Sequence, residues 1–251
     1  MTFLKATLVV GAVTVLSGHV SPSVDDNNRY IKVTPLGDGA RIAYTVFFGE
    51  IPGASARRTI DKNGDGRIDE VEARRFGDGL AAEVAAALDV ETDGTPLRIA
   101  WRTVDVGMGS DQVAAGSFSI DMVAYVCGTH GAGTHRVRVR DQFRVPRPGE
   151  TEVKVEDSPG VTVTRAHVGD ANDPSHDFRF VGPGGPLSDE GLEVEYTSSA
   201  TTPTVPDGAC GGGGGAGAKP AGKLPGWLVY VLGALVAGGL VGLVVRRLRA
   251  S

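Results

Sequence analysis

The chain is 251 residues long, 41% hydrophobic and 22% charged, which is the composition of an ordinary globular protein and excludes a disordered or fibrous one. Its formal charge of −5 conceals an asymmetry: Lys5, Lys219, Lys223, Arg246, Arg247 and Arg249 supply six of the 25 basic residues from segments with no acidic one, leaving 19 against 30, or −11, for the rest. Such a surface repels phosphate backbones, so no nucleic-acid partner is expected, and it suits a protein that works with cations.

Residues 1–18 read as a secretory signal, with Lys5 in a short basic region, an apolar run over 6–16, and the small residues Ser17 and Gly18 before a polar stretch. Eleven apolar residues are too few to span a bilayer, which needs roughly 20. The mature chain is expected to begin near His19.

From Tyr30 to Tyr196 short alternating strands dominate. Ile42, Tyr44, Val46 and Phe48 share one face. A helical interruption follows over 54–88, where Phe76, Leu80, Val84 and Leu88 recur every four residues, with Gly77 and Gly79 as places for a kink. Pro52 and Gly53 leave about two turns of helix, 54–60, ahead of the loop at 61–72. Leu97, Ile99 and Trp101 alternate next, then Phe118, Ile120, Met122, Ala124 and Val126. Val137 and Val139 alternate with Arg136, Arg138 and Arg140; Val153 and Val155 with Lys154 and Glu156; Leu192, Val194 and Tyr196 with Glu193 and Glu195. One buried and one wet face per strand predicts a mainly β, antiparallel, sandwich-like domain over 19–200 with a loop and helix inserted.

Residues 201–226 form a Gly/Pro-rich linker with five successive glycines, 211–215. Residues 227–245 carry no charge and reach about 28 Å as a helix, enough for one transmembrane span. Trp227 and Tyr230 suit the outer interface, and the basic tail 246–251 suits the cytoplasmic side. Ala234, Gly238 and Gly242 stand at the small-residue spacing that lets two such helices approach.

The chemistry concentrates in DKNGDGRIDEVE, residues 61–72, which meets the twelve-residue EF-hand loop at every constrained position. Asp61, Asn63 and Asp65 offer monodentate oxygens, Gly66 the sharp turn, and Arg67 its carbonyl. Ile68 packs inward, Asp69 ligates directly or through water, and Glu72 closes the shell with two oxygens. Seven oxygens at flexible distances predict Ca²⁺ rather than Mg²⁺. A second hand is not visible, so the expected affinity is that of extracellular modules, roughly 10⁻⁴ to 10⁻³ M.

Weaker candidates are Cys127, His130 and His135 around a Gly-rich turn, His19 as a first mature residue, and the acidic loop of Asp170, Asn172, Asp173 and Asp177. Enzyme signatures such as Gly-x-Ser-x-Gly, His-Glu-x-x-His and Cys-x-x-Cys are absent, so no catalytic role is expected.

The runs RYIKVTP from Arg29, RIAYTVFFGEIP from Arg41, the Asp61 loop, DGTPL from Asp93 and VRVRD from Val137 together resemble the extracytoplasmic leading domain of bacterial nickel/cobalt permeases of the hydrogenase and urease accessory type. The resemblance covers about residues 19–165 and implies an accessory role in transition-metal transport beside a separate permease. The tail, with Asp207, Gly208, Cys210 and Gly211 before the span and the Arg cluster, resembles tripartite C-terminal sorting signals of bacterial surface proteins, including the Myxo-type. That likeness implies Cys210 as a processing or attachment point. A disulfide with Cys127 in an oxidising compartment is the other reading. The sequence thus predicts a calcium-binding module, exported and anchored in the bacterial envelope or at the cell surface, whose partners are calcium, the membrane, and a permease or surface protein.

Overall fold

The computed structural model describes residues 25–128, 131–169, 171–172, 179–180 and 185–209. In chain order the strands are β1 (Asn27–Leu36), β2 (Gly39–Phe48), β3 (Leu88–Thr92), β4 (Thr95–Leu97), β5 (Trp101–Gly107), β6 (Phe118–Cys127), β7 (Gly133–Asp141), β8 (Pro148–Val155), β9 (Val161–Val168), β10 (Ala171–Asn172), β11 (Arg179–Phe180) and β12 (Leu192–Ser198). Helices α1 (Glu50–Ile60) and α2 (Glu70–Ala87) lie between β2 and β3, and α3 (Pro186–Asp189) is a single turn.

The fold is mainly β, with two six-stranded sheets ordered β11-β8-β1-β2-β6-β5 and β10-β9-β12-β7-β3-β4. Alternation produces them: Ile42, Tyr44 and Val46 of β2, Ile120 and Met122 of β6, and Val137 and Val139 of β7 are all nearly inaccessible, and they meet in one buried cluster fed by both sheets. Arg138 and Arg140 face outward and pair at 2.6 Å with Glu91 and Asp89, their direct register partners on β3.

Several expectations need correction. The antiparallel pattern has an exception, because β1 lies antiparallel to β2 but parallel to β8. Leu97, Ile99 and Trp101 are not one strand: Leu97 ends β4 in one sheet and Trp101 opens β5 in the other. Alternation reports which face is apolar, not which sheet the strand joins. Helix α1 starts at Glu50 rather than 54, since Pro52 sits in its first turn, where the missing N–H has no helical acceptor anyway. Helix α2 runs unbroken through Gly77 and Gly79, and Leu88 belongs to β3.

Packing also continues past residue 200. Gly37 N–H donates to Pro203 O (2.9 Å), Val205 N–H to Asp38 Oδ1 (2.7 Å), and Val205 and Ala209 bury against Leu36. Cys127 is disulfide-bonded, and the sequence holds one other cysteine, Cys210. The secretory signal, His19, His130, Asp170, Asp173, Asp177, Cys210, most of the linker, the span 227–245 and the basic tail lie outside the described residues. Among the described residues no helix is long and apolar enough to cross a membrane.

Candidate metal centre

The predicted loop connects α1 to α2, and its backbone is held by its own acidic side chains. Asp61 accepts from the Gly64 N–H at Oδ1 (2.7 Å) and from the Gly66 N–H at Oδ2 (3.0 Å). Asn63 Oδ1 accepts from Asp65 N–H (2.9 Å), and Asp65 Oδ1 from Arg67 N–H (2.8 Å). These are short Asx turns, the local bonding by which Asp and Asn fold a loop rather than extend a helix. Gly66 lies at φ 81°, a left-handed conformation that a side chain would strain.

Glu72 closes the loop from the first turn of α2. It is 7% exposed, and its Oε1 accepts from the N–H groups of Lys62 (2.7 Å) and Asn63 (3.3 Å) at the far end of the loop. Its Oε2 accepts from Asp69 N–H (3.2 Å), while Asp69 Oδ1 accepts from Val71 and Glu72 N–H, both at 2.8 Å. Asp69 is therefore the N-cap of α2 in a reciprocal capping box. Asp followed three residues later by Glu carries that signal in the sequence, where Asp69 is read only as a ligand. Ile68 is 5% exposed and joins the main core, as its inward role requires.

Among the described residues no group of three or more His, Cys, Asp or Glu is arranged to hold a metal ion as the side chains lie. Two of the six predicted ligands, Asn63 Oδ1 and the Arg67 carbonyl, are of neither kind, and Asp61, Asp65 and Glu72 turn oxygens toward backbone N–H groups. A carboxylate has about four lone-pair sites, so a hydrogen bond from the loop leaves acceptor capacity on each group. The donor set is all oxygen, with four carboxylates among the six residues, which fits a hard divalent cation and not a soft one. Beside it, Ile60, Phe76, Leu80 and Glu72 line a shallow recess of about 300 Å³ between the two helices.

The loop is not alone. Ile68 N–H donates to Asp111 O (2.7 Å) and Val113 N–H to Gly66 O (3.1 Å), an antiparallel bridge between Arg67 and Gln112 in the β5–β6 connection. The Arg67 guanidinium pairs with the Asp111 carboxylate. Arg57, wholly buried in α1, aims its guanidinium at the same connection. Nη1 donates to Ser110 O (2.8 Å) and Gln112 O (3.1 Å), Nη2 to Met108 O (2.5 Å) and Ser117 O (3.3 Å), and Nε to Gly116 O (3.0 Å). Sequence reading passes over Arg57, since a basic residue four positions before the loop looks like solvated helix. The one available signal is its phase, on the buried face with Gly53 and Ile60.

The weaker metal candidates fare differently. Cys127 is in a disulfide, so no thiolate is available to join the histidines. His135, in β7, lies with Nδ1 3.1 Å from Asp93 Oδ2 and Nε2 2.8 Å from Gly131 O. No protein-family model matches the chain, and no curated protein matches it.

Proposed function

We propose that the protein is a calcium-binding, membrane-anchored extracytoplasmic module with a structural or binding role, in which Asp61, Asn63, Asp65, Arg67, Asp69 and Glu72 hold the ion. The observation that supports it most is Glu72: a buried carboxylate folded across the loop onto its first residues, in a strand-rich domain where a solvated acidic turn would leave it outside. A bound Ca²⁺ supplies two positive charges to a loop crowded with carboxylates, and so stabilises the folded domain by mass action. The secretory signal, glycine tether and apolar span place the domain outside the membrane in this reading. The alternative, an accessory for nickel or cobalt transport, draws less support, because the soft donor Cys127 is committed to a disulfide.

Calorimetric titration of the full-length protein with Ca²⁺, Mg²⁺, Ni²⁺ and Zn²⁺ tests this. Ca²⁺ is expected to bind once with a Kd of roughly 10⁻⁴ to 10⁻³ M, and a tenfold excess over Kd to add about 1.4 kcal/mol of stability. Glu72→Gln should abolish both effects, each read against the variant's own stability without Ca²⁺, since its amide also loses one of the N–H contacts of the carboxylate. A chain whose stability ignores Ca²⁺, or whose Glu72→Gln variant still binds it, removes the proposal.

A further inference from the structure

EF-hand loops ordinarily work in pairs, each satisfying the backbone of the other, and this chain has one. Ile68 lies in the core, so its N–H would be a buried donor without an acceptor, a costly state that folded proteins avoid. The β5–β6 connection, residues 108–117, supplies the acceptor through Asp111 O and takes the Gly66 carbonyl through Val113 N–H. We propose that residues 108–117 stand in for the missing second hand, and that Arg57 is the positioning residue that holds them there and thereby sets the calcium affinity of the loop.

The construction around Arg57 favours that role over simple packing. All its contacts with acceptors run to backbone carbonyls, five of them, within this one connection. A guanidinium has five N–H donors in a rigid fork, and no Lys could reach the same set. The Arg57 cation also lies 5.3 Å from the centroid of the Phe118 ring, at the end of the same connection. Backbones touch as well: a Cβ on Gly53 would stand 2.6 Å from Gly116 O, so α1 and the connection meet where only glycine fits. Arg57 O in turn accepts from Asp61 N–H (3.1 Å), so the clamp and the first predicted ligand share one helical turn. Loop, helix and connection are joined by these hydrogen bonds into one unit, and preorganisation of this kind raises affinity by lowering the entropy lost on binding.

The inference rests on the calcium reading above, and the test separates the two. Full-length wild type, Glu72→Gln, Arg57→Lys and Gly116→Val are titrated with Ca²⁺, and amide hydrogen exchange is followed across 108–117, with β9 as a remote control. Arg57→Lys keeps the charge and loses the fork; Gly116→Val pushes the connection away from Glu50, whose Cα is 3.1 Å from the added atom. Each is expected to weaken Ca²⁺ binding by about tenfold through lost preorganisation. In wild type, Ca²⁺ should slow exchange in 108–117 but not in β9, and Glu72→Gln should remove that response. The exchange measurement needs no variant at Arg57 to fold. If wild type binds Ca²⁺ while exchange in 108–117 is indifferent to it, or folded Arg57→Lys binds as wild type does, the connection is mere packing and the inference is overturned with the calcium reading intact. If wild type binds no Ca²⁺, both fall.

Discussion

Two tyrosines, Tyr44 and Tyr196, tie the sheets together through their hydroxyls. Tyr44 Oη donates to Asp141 Oδ2 (2.9 Å), the oxygen that also receives Arg29 Nη1 (2.7 Å), and Arg29 goes on to Phe143 O and Thr151 Oγ1. This buried network joins β1, β2 and β8 of one sheet to β7 of the other. Tyr196 Oη, from β12, lies 3.3 Å from both Leu36 O and Gly39 O at the β1–β2 turn. Burial pushes both phenols well above their ordinary value of 10.0, with the Asp141 carboxylate adding to the shift at Tyr44 and Asp93 to that at Tyr196. Above pH 10 the unfolded chain releases these protons while the folded one keeps them, so the native state binds more protons and stability falls as pH rises. Urea denaturation between about pH 8 and 11 should show that decline, and Tyr44→Phe should make it shallower. A flat profile would mean that the phenols ionise without cost to the fold.

At the scale of elements, the helix that leaves the loop shows how one residue type plays two parts. A Cβ on Gly77 would come within 2.5 Å of Val106 Cγ2, so this glycine lets α2 lie against β5. A Cβ on Gly79 would meet nothing within 4 Å, so this glycine only weakens the helix. Gly79→Ala is expected to raise stability by about 1 kcal/mol, and Gly77→Leu to lower it by about 1–3 kcal/mol through overpacking. Chemical denaturation midpoints of the two variants decide the matter, and equal effects would contradict the packing described. The sequence shows both glycines as candidate breaks, because periodicity cannot say what stands opposite a helix face. The same limit hides the split between β4 and β5. Trp101 alternates with Leu97 and Ile99, yet it faces α2, donating from Nε1 to Ala81 O at 2.8 Å.

Over the whole molecule, the segment around residues 199–209 carries the packing past β12. The chain returns after β12 to cover the β1–β2 turn, burying Val205 at 5% exposure beside Leu36. A disulfide restricts the unfolded chain, so reduction of the one at Cys127 should cost about 2–4 kcal/mol of stability. Comparing urea midpoints with and without a reductant checks this, and coincident curves would show that the crosslink only decorates a contact already made. The strands of β2, β6, β7 and β12 and the oxygen donors of the loop are legible in the amino-acid sequence, because alternation and motif spacing are local properties that neighbouring residues carry between them. The parallel pairing of β1 with β8, the assignment of strands to sheets, and the union of Arg57 with residues 108–117 belong to the tertiary structure alone. β1 and β8, like Arg57 and residues 108–117, lie more than 50 positions apart and meet at backbone N–H or C=O groups, which every non-proline residue carries, so no residue type announces which partner it will meet.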